Sequence, residues 1–105
     1  MTLAESVDVP LGDLAALSTR LGAGTLSPSD VVEAVLAACD ADPAPGVWIH
    51  RVAPGALRER ARELEGLGEE AKRLPLYGIP FAVKDNLDVA GIPTTAACPA
   101  FAYTP

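Results

Sequence analysis

Leucines at 11, 14, 17 and 21 recur at helical spacing and predict an amphipathic helix over about 11–21. Asp13 falls in its first turn, where a negative charge suits the helix dipole, and Gly22-Ala23-Gly24 ends it. The next start signal is stronger. In Ser27-Pro28-Ser29-Asp30, the serine can cap, the proline suits the first helical position, and the aspartate lies three residues after the cap. A helix over about 28–40 follows, its apolar face formed by Val31, Val32, Val35, Leu36 and Cys39. Val47 to Val52, "VWIHRV", is β-branched and aromatic enough to predict a strand. The charged stretch over about 54–72 predicts a surface helix with Leu57, Ala61 and Leu64 inside, weakened in its middle by Gly66 and Gly68. A second strand is predicted over about 79–84, "IPFAVK".

Strand, helix, strand in that order predicts a β-α-β crossover with two parallel strands, and so an α/β fold class. Two parallel strands cannot cover both faces and both edges of a sheet. No helical pattern follows the second strand in these 105 residues. The chain therefore reads as residues 1–105 of one larger α/β domain, incomplete on its own. Length permits one modest domain, and hydrophobic residues make up 50% of the chain, but many are alanine and only 5% are aromatic. Alanine buries little area, so a free-standing core would be thin.

The formal net charge of −6 speaks against nucleic acid and against an anionic membrane surface as partners. No apolar run approaches the roughly 18 residues of a membrane span. The opening "MTLAESVDVP" lacks the basic and apolar regions of a secretory signal. Cys39 and Cys98 lack metal spacing and are expected to act as small buried hydrophobes. A cytoplasmic location is the expectation.

Lys84 is the residue that stands out. It is one of two lysines, the other being Lys72, and it closes the apolar run Ile79-Pro80-Phe81-Ala82-Val83. In an extended segment Phe81, Val83 and Asp85 share one face, with Ala82 and Lys84 on the other. Lys84 thus falls at the carboxyl end of a strand, where open α/β sheets form their crevices, and Asp85 is not its obvious ion-pair partner. On spacing alone, such a lysine is more often a solvated charge. Partly desolvated, it would have a lowered pKa, and its neutral amine could take a proton from a hydroxyl.

Other motif readings fail. In Gly78 to Lys84, Pro80 and Phe81 replace the glycines of a phosphate loop and Asp85 replaces its Ser/Thr. "DNLDVAG" is not a calcium loop, because Leu87 stands at the third ligand position. His50, the only histidine, lies in a strand pattern and reads as structural, which leaves Cys98 without a base.

The stretch "PLYGIPFAVKDNLDVAGIPTT" resembles the first signature segment of the amidase signature enzymes, through Gly78, Ile79, Pro80, Lys84, Asp85, Asn86, Gly91, Pro93, Thr94 and Thr95 in order. Within that family, "DPAPGVWIHRV" and "TTAACPAFAYTP" resemble the allophanate hydrolase branch. The resemblance implies the N-terminal portion of an α/β/α amidase fold and a Ser-cisSer-Lys triad with Lys84 as base. That base would act through a bridging serine on a nucleophilic serine, forming an acyl-enzyme and releasing ammonia. It implies a small-molecule amide substrate and no metal or organic cofactor, and it leaves open whether the intact enzyme is a homodimer.

The serines of that triad belong to a downstream Gly/Ser-rich segment, whereas Ser6, Ser18, Ser27 and Ser29 all precede Lys84. The chain is therefore expected to be an N-terminal fragment, inactive alone, with Lys84 uncovered. A fragment of another amidase, or of an amidotransferase A-type subunit, is the alternative. A non-catalytic binding module is the other.

Overall fold

The computed structural model describes residues 7–42, 44 and 46–105. Ser6, most of the N-terminal "MTLAESVDVP", and Pro43 and Pro45 of "DPAPG" lie outside the described residues. The chain divides into two compact units, Met1–Pro43 with Val52–Pro80, and Ala44–Arg51 with Phe81–Pro105.

The first unit is helical. Helix α1 spans Leu14–Ala23, starting later than the leucine pattern predicts, because Asp13 is its N-cap rather than a first-turn residue. The Asp13 carboxylate accepts from Ala16 N–H at 3.0 Å. Gly24, at φ 78°, closes the helix in the left-handed conformation that glycine adopts without strain. Helix α2 spans Pro28–Ala41. Ser27 accepts from the Asp30 N–H at 3.1 Å and its own N–H donates to the Asp30 carboxylate at 2.9 Å, a complete capping box. Helix α3 spans Pro54–Gly66, shorter than predicted. Gly66 ends it rather than weakening its middle, Gly68 turns the chain at φ 80°, and the remainder is a 3-10 turn over Ala71–Arg73.

Leu17, Leu21, Leu26, Val31, Ala71 and Tyr77 form the core, with Val9, Val35, Leu64 and Ile79 packed against it. Helix α3 lies along α2. Glu65 of α3 accepts from both the N–H and the hydroxyl of Ser29 at 2.9 Å, so a carboxylate sits at the positive end of α2. Arg58 and Glu33 add a bidentate ion pair at 2.8 and 3.0 Å across the same helices. Each residue is solvated, so the pair adds little to stability.

The predicted strands are absent. Residues 47–52 and 79–84 form no strand, and among the described residues there is no parallel β-α-β pair and no α/β sheet. Among the described residues, the β-type pairings are two isolated antiparallel bridges, Val89 with Ile92 and Thr94 with Tyr103. The physical reason is that strand preference is a preference for a pleated, half-buried surface, which needs a neighbour to supply it. Without one, the apolar residues meant for a sheet stand in solvent: Val47, Trp48, Ile49, Val83 and, at 86% exposure, Phe81. The expected burial of the cysteines also fails, since Cys39 is half-buried and Cys98 exposed. No helix among the described residues is long and apolar enough to cross a membrane.

Candidate active site

The candidate site lies in the second unit, around the turn that carries Lys84. The Lys84 carbonyl accepts from Leu87 N–H at 3.0 Å, closing a tight turn over residues 84–87. The Lys84 side chain is exposed and its ammonium makes no ion pair with a described residue. Asn86 is exposed as well.

Asp85 is held far more closely. Its carboxylate turns to the segment after Pro93, accepting from Thr95 N–H at 3.1 Å and from the Thr95 hydroxyl. Its backbone carbonyl accepts from Ala96 N–H at 2.9 Å. Residue 85 is thus tied to residues 95–96 through both side chain and main chain. The Thr95 hydroxyl, and after it the Thr95 N–H, hold the Asp85 carboxyl below the usual carboxylate range, and the charge of His50 acts in the same direction. Asp85 forms no ion pair with Lys84, its carboxylate being engaged by Thr95.

A second contact set runs alongside. Asp88 accepts from the Thr94 hydroxyl at 2.9 Å and from the Tyr103 hydroxyl at 2.5 Å. Thr94 and Tyr103 exchange backbone hydrogen bonds at 2.8 and 3.1 Å, and the Tyr103 ring meets Phe101 edge-on at 5.7 Å. The bond to Asp88 raises the Tyr103 phenol above its ordinary value. Thr94, 2% exposed, is the buried residue among the described residues of this unit, so its hydroxyl needs the partner that Asp88 supplies. Gly91, at φ 81°, makes the turn between the aspartates and the threonines, closed by Ile92 N–H to Val89 carbonyl at 3.1 Å.

The spacing of the signature residues therefore has a structural meaning. Two aspartates three apart meet two adjacent threonines across a glycine turn, Asp85 on Thr95 and Asp88 on Thr94. The sequence reading missed Asp88 and Tyr103. The signal that could have found them was the pair of acceptors Asp85 and Asp88 facing the pair of donors Thr94 and Thr95, with a turn between them.

The remaining candidates are less engaged. His50 is exposed, and Cys98 is exposed with its N–H spent on the Thr95 carbonyl at 2.8 Å. Ser27 and Ser29 are committed to the start of α2, and Ser18 is an exposed residue of α1. Among the described residues no group of histidine, cysteine, aspartate and glutamate is placed to hold a metal ion.

A family model described as Amidase matches residues 30–105, which includes the whole of the Lys84 turn and both aspartate–threonine contacts. The chain belongs to the amidase signature family. It is 44% identical over 75 residues, 71% of its length, to urea amidolyase of Saccharomyces cerevisiae, and 48% identical over 64 residues, 61% of its length, to urea amidolyase of Lachancea kluyveri. It is 39% identical over 84 residues, 79% of its length, to the A-type subunit of the glutamyl-tRNA(Gln) amidotransferase of Nitratidesulfovibrio vulgaris. These matches cover 4%, 3% and 17% of the respective relatives, so the chain spans a small part of each. No solved structure matches it.

Proposed function

We propose that this amidase segment carries the lysine base of an allophanate-hydrolase-type site, with Lys84 as that base. The observation that supports it most is the similarity to two urea amidolyases at 44% and 48% identity, joined to the K-D-N turn that presents Lys84 to solvent beside a tightly held Asp85. In this reading the Lys84 amine draws a proton from a bridging serine, which activates a second serine toward the amide carbonyl. The acyl-enzyme forms, ammonia leaves, and water releases the acid. A lysine serves as base only if burial or neighbouring charge lowers its pKa, so Lys84 must be covered when it works. The substrate is a small amide, allophanate, and the location cytoplasmic.

The test is ammonia release from allophanate by the full-length gene product, with and without Lys84→Ala. Loss of about a thousandfold or more in kcat supports the base, because removing one member of a catalytic unit removes most of its effect. Wild-type kcat in the variant ends the reading. The 105-residue polypeptide assayed by itself is expected to release no ammonia, since all four of its serines precede Lys84 and two of them cap or clip α2. The match to the amidotransferase favours a second reading, an amidase site acting on another amide. Activity on other small amides with none on allophanate would select it.

A further inference from the structure

We propose that Asp85, through Thr95, is the positioning residue that sets where Lys84 stands; this deepens the reading of Lys84 as the base and depends on it. Lys84 has no side-chain partner of its own among the described residues, so its location is set by the backbone on either side. On the N-terminal side, residues 80–83 are irregular with their side chains exposed, and no hydrogen bond to another described residue fixes the chain there. On the C-terminal side, residue 85 is held at three points: carboxylate to Thr95 N–H, carboxylate to Thr95 hydroxyl, and carbonyl to Ala96 N–H. Thr95 is itself fixed. Its hydroxyl accepts from Ala97 N–H at 3.1 Å, its carbonyl accepts from Cys98 N–H at 2.8 Å, and its neighbour Thr94 is tied to Asp88 and Tyr103.

The peptide joining residues 84 and 85 is therefore anchored from one end. Charge-assisted bonds from a hydroxyl and an N–H to one carboxylate are the strong kind, and two of them fix orientation as well as distance. Asp85 never needs to touch substrate to do this. It acts by holding the Cα from which the lysine extends, and a base displaced by about 1 Å costs on the order of 100-fold in rate.

The experiment uses the full-length gene product on its amide substrate, with kcat and KM measured separately for Asp85→Asn, Thr95→Val, Thr95→Ser and Lys84→Ala, each checked for folding by circular dichroism. Positioning predicts that Asp85→Asn and Thr95→Val each lower kcat on the order of 100-fold with KM unchanged. Thr95→Ser, which keeps the hydroxyl, restores near-wild-type kcat. The double variant Asp85→Asn with Thr95→Val is no slower than the slower single, because both remove one contact. Wild-type kcat in Asp85→Asn and Thr95→Val, with Lys84→Ala inactive, overturns the positioning role and leaves the base standing. A raised KM with unchanged kcat in Asp85→Asn also overturns it, since Asp85 would then grip substrate. An active Lys84→Ala removes the base reading and the positioning role together. Should Asp85→Asn not fold, the near-isosteric Thr95→Val, with its serine counterpart, decides.

Discussion

The two units of this chain are held by different forces. Met1–Pro43 with Val52–Pro80 buries Leu17, Leu21, Leu26, Val31 and Tyr77, and its hydrogen bonds are mostly those of helices and their caps. Ala44–Arg51 with Phe81–Pro105 buries Thr94 and leaves Phe81, Leu87 and Phe101 in solvent. Its order comes from the contacts of Asp85 and Asp88 with Thr95, Thr94 and Tyr103. Burying one large apolar side chain contributes about 1.5–3 kcal/mol, while one hydrogen bond nets about 0.5–1.5 kcal/mol. The helical unit should therefore carry most of the chain's stability, and the unit with the candidate chemistry should be the easier to loosen.

The largest break in that comparison is expected at Leu21. It is 1% exposed, and Leu21→Ala should cost about 2–5 kcal/mol through lost burial and the cavity left behind. Gly78→Ala attacks the same place from the other side. Gly78 sits at φ 69°, and an added Cβ would come within 3.0 Å of Leu21 Cδ2 and 3.3 Å of Pro28 Cγ. Strain and overpacking together should cost about 2–4 kcal/mol. Urea denaturation followed by far-ultraviolet circular dichroism measures both. By contrast, Phe81→Ala should shift the midpoint by less than about 0.5 kcal/mol, its ring being already in solvent. A larger Phe81 effect would show that the second unit has a core after all.

Acid and alkali sharpen the contrast. Asp85 has its pKa lowered by the Thr95 bonds, so its contribution is complete above the unfolded value, about 4, and is lost as pH falls through the lower folded value. Tyr103 has its pKa raised by Asp88, so its contribution is complete below about 10 and is lost as pH rises through the higher folded value. Amide signals of Thr95 and Ala96 should broaden or shift below about pH 4 before the methyl signals of Leu21 and Val31 do. In the helical unit the Glu33 carboxyl is also lowered, by Arg58, but it is solvated and holds no core residue. Equal loss in both units on acidification would contradict the division of forces.

A finer cut is Thr94→Val, which keeps the shape and removes the hydroxyl. Thr94 is buried and bonded to a carboxylate, so the loss should be about 1–2 kcal/mol, with Asp88 still holding Tyr103. Thr94→Ser should cost less. Hydrogen exchange at the Thr94 and Tyr103 amides reads the effect locally, where a global melt dominated by the helices would dilute it.

How much was legible in the sequence follows the same line between the units. Ser27, Pro28 and Asp30 announced α2 because a cap is local, complete within four residues and needing nothing from elsewhere. Leu17, Leu21, Val31, Ala61 and Leu64 were readable as inward faces because helical periodicity is also local, whereas Leu11 and Leu14 of the same predicted stripe, before and at the first residue of α1, are exposed. The strands over 47–52 and 79–84 were misjudged for the opposite reason. Their residues favour a sheet only when a neighbouring strand supplies the other half, and no residue within either segment can provide it. Lys84 itself was conspicuous, yet what anchors it lies at residues 94–96, ten positions away in sequence. Gly66 was read as a weak point within a helix, where following Gly68 makes it an end.

The smallest gain expected is at a place that sequence patterns could not reach. Ala96 and Ala97 stand at φ 49° and 61°, left-handed conformations that an alanine adopts only against Cβ sterics. Two hydrogen bonds hold them there, Ala96 N–H on the Asp85 carbonyl and Ala97 N–H on the Thr95 hydroxyl. Glycine reaches that region without the penalty, at the expense of a floppier unfolded chain. Ala97→Gly should therefore stabilise the second unit by about 0.5–1 kcal/mol, the reverse of the usual sign for alanine-to-glycine changes. Slower exchange at the Thr95, Ala96 and Cys98 amides would register it. Faster exchange would mean that the turn is set by the alanine methyls rather than imposed on them by Asp85 and Thr95.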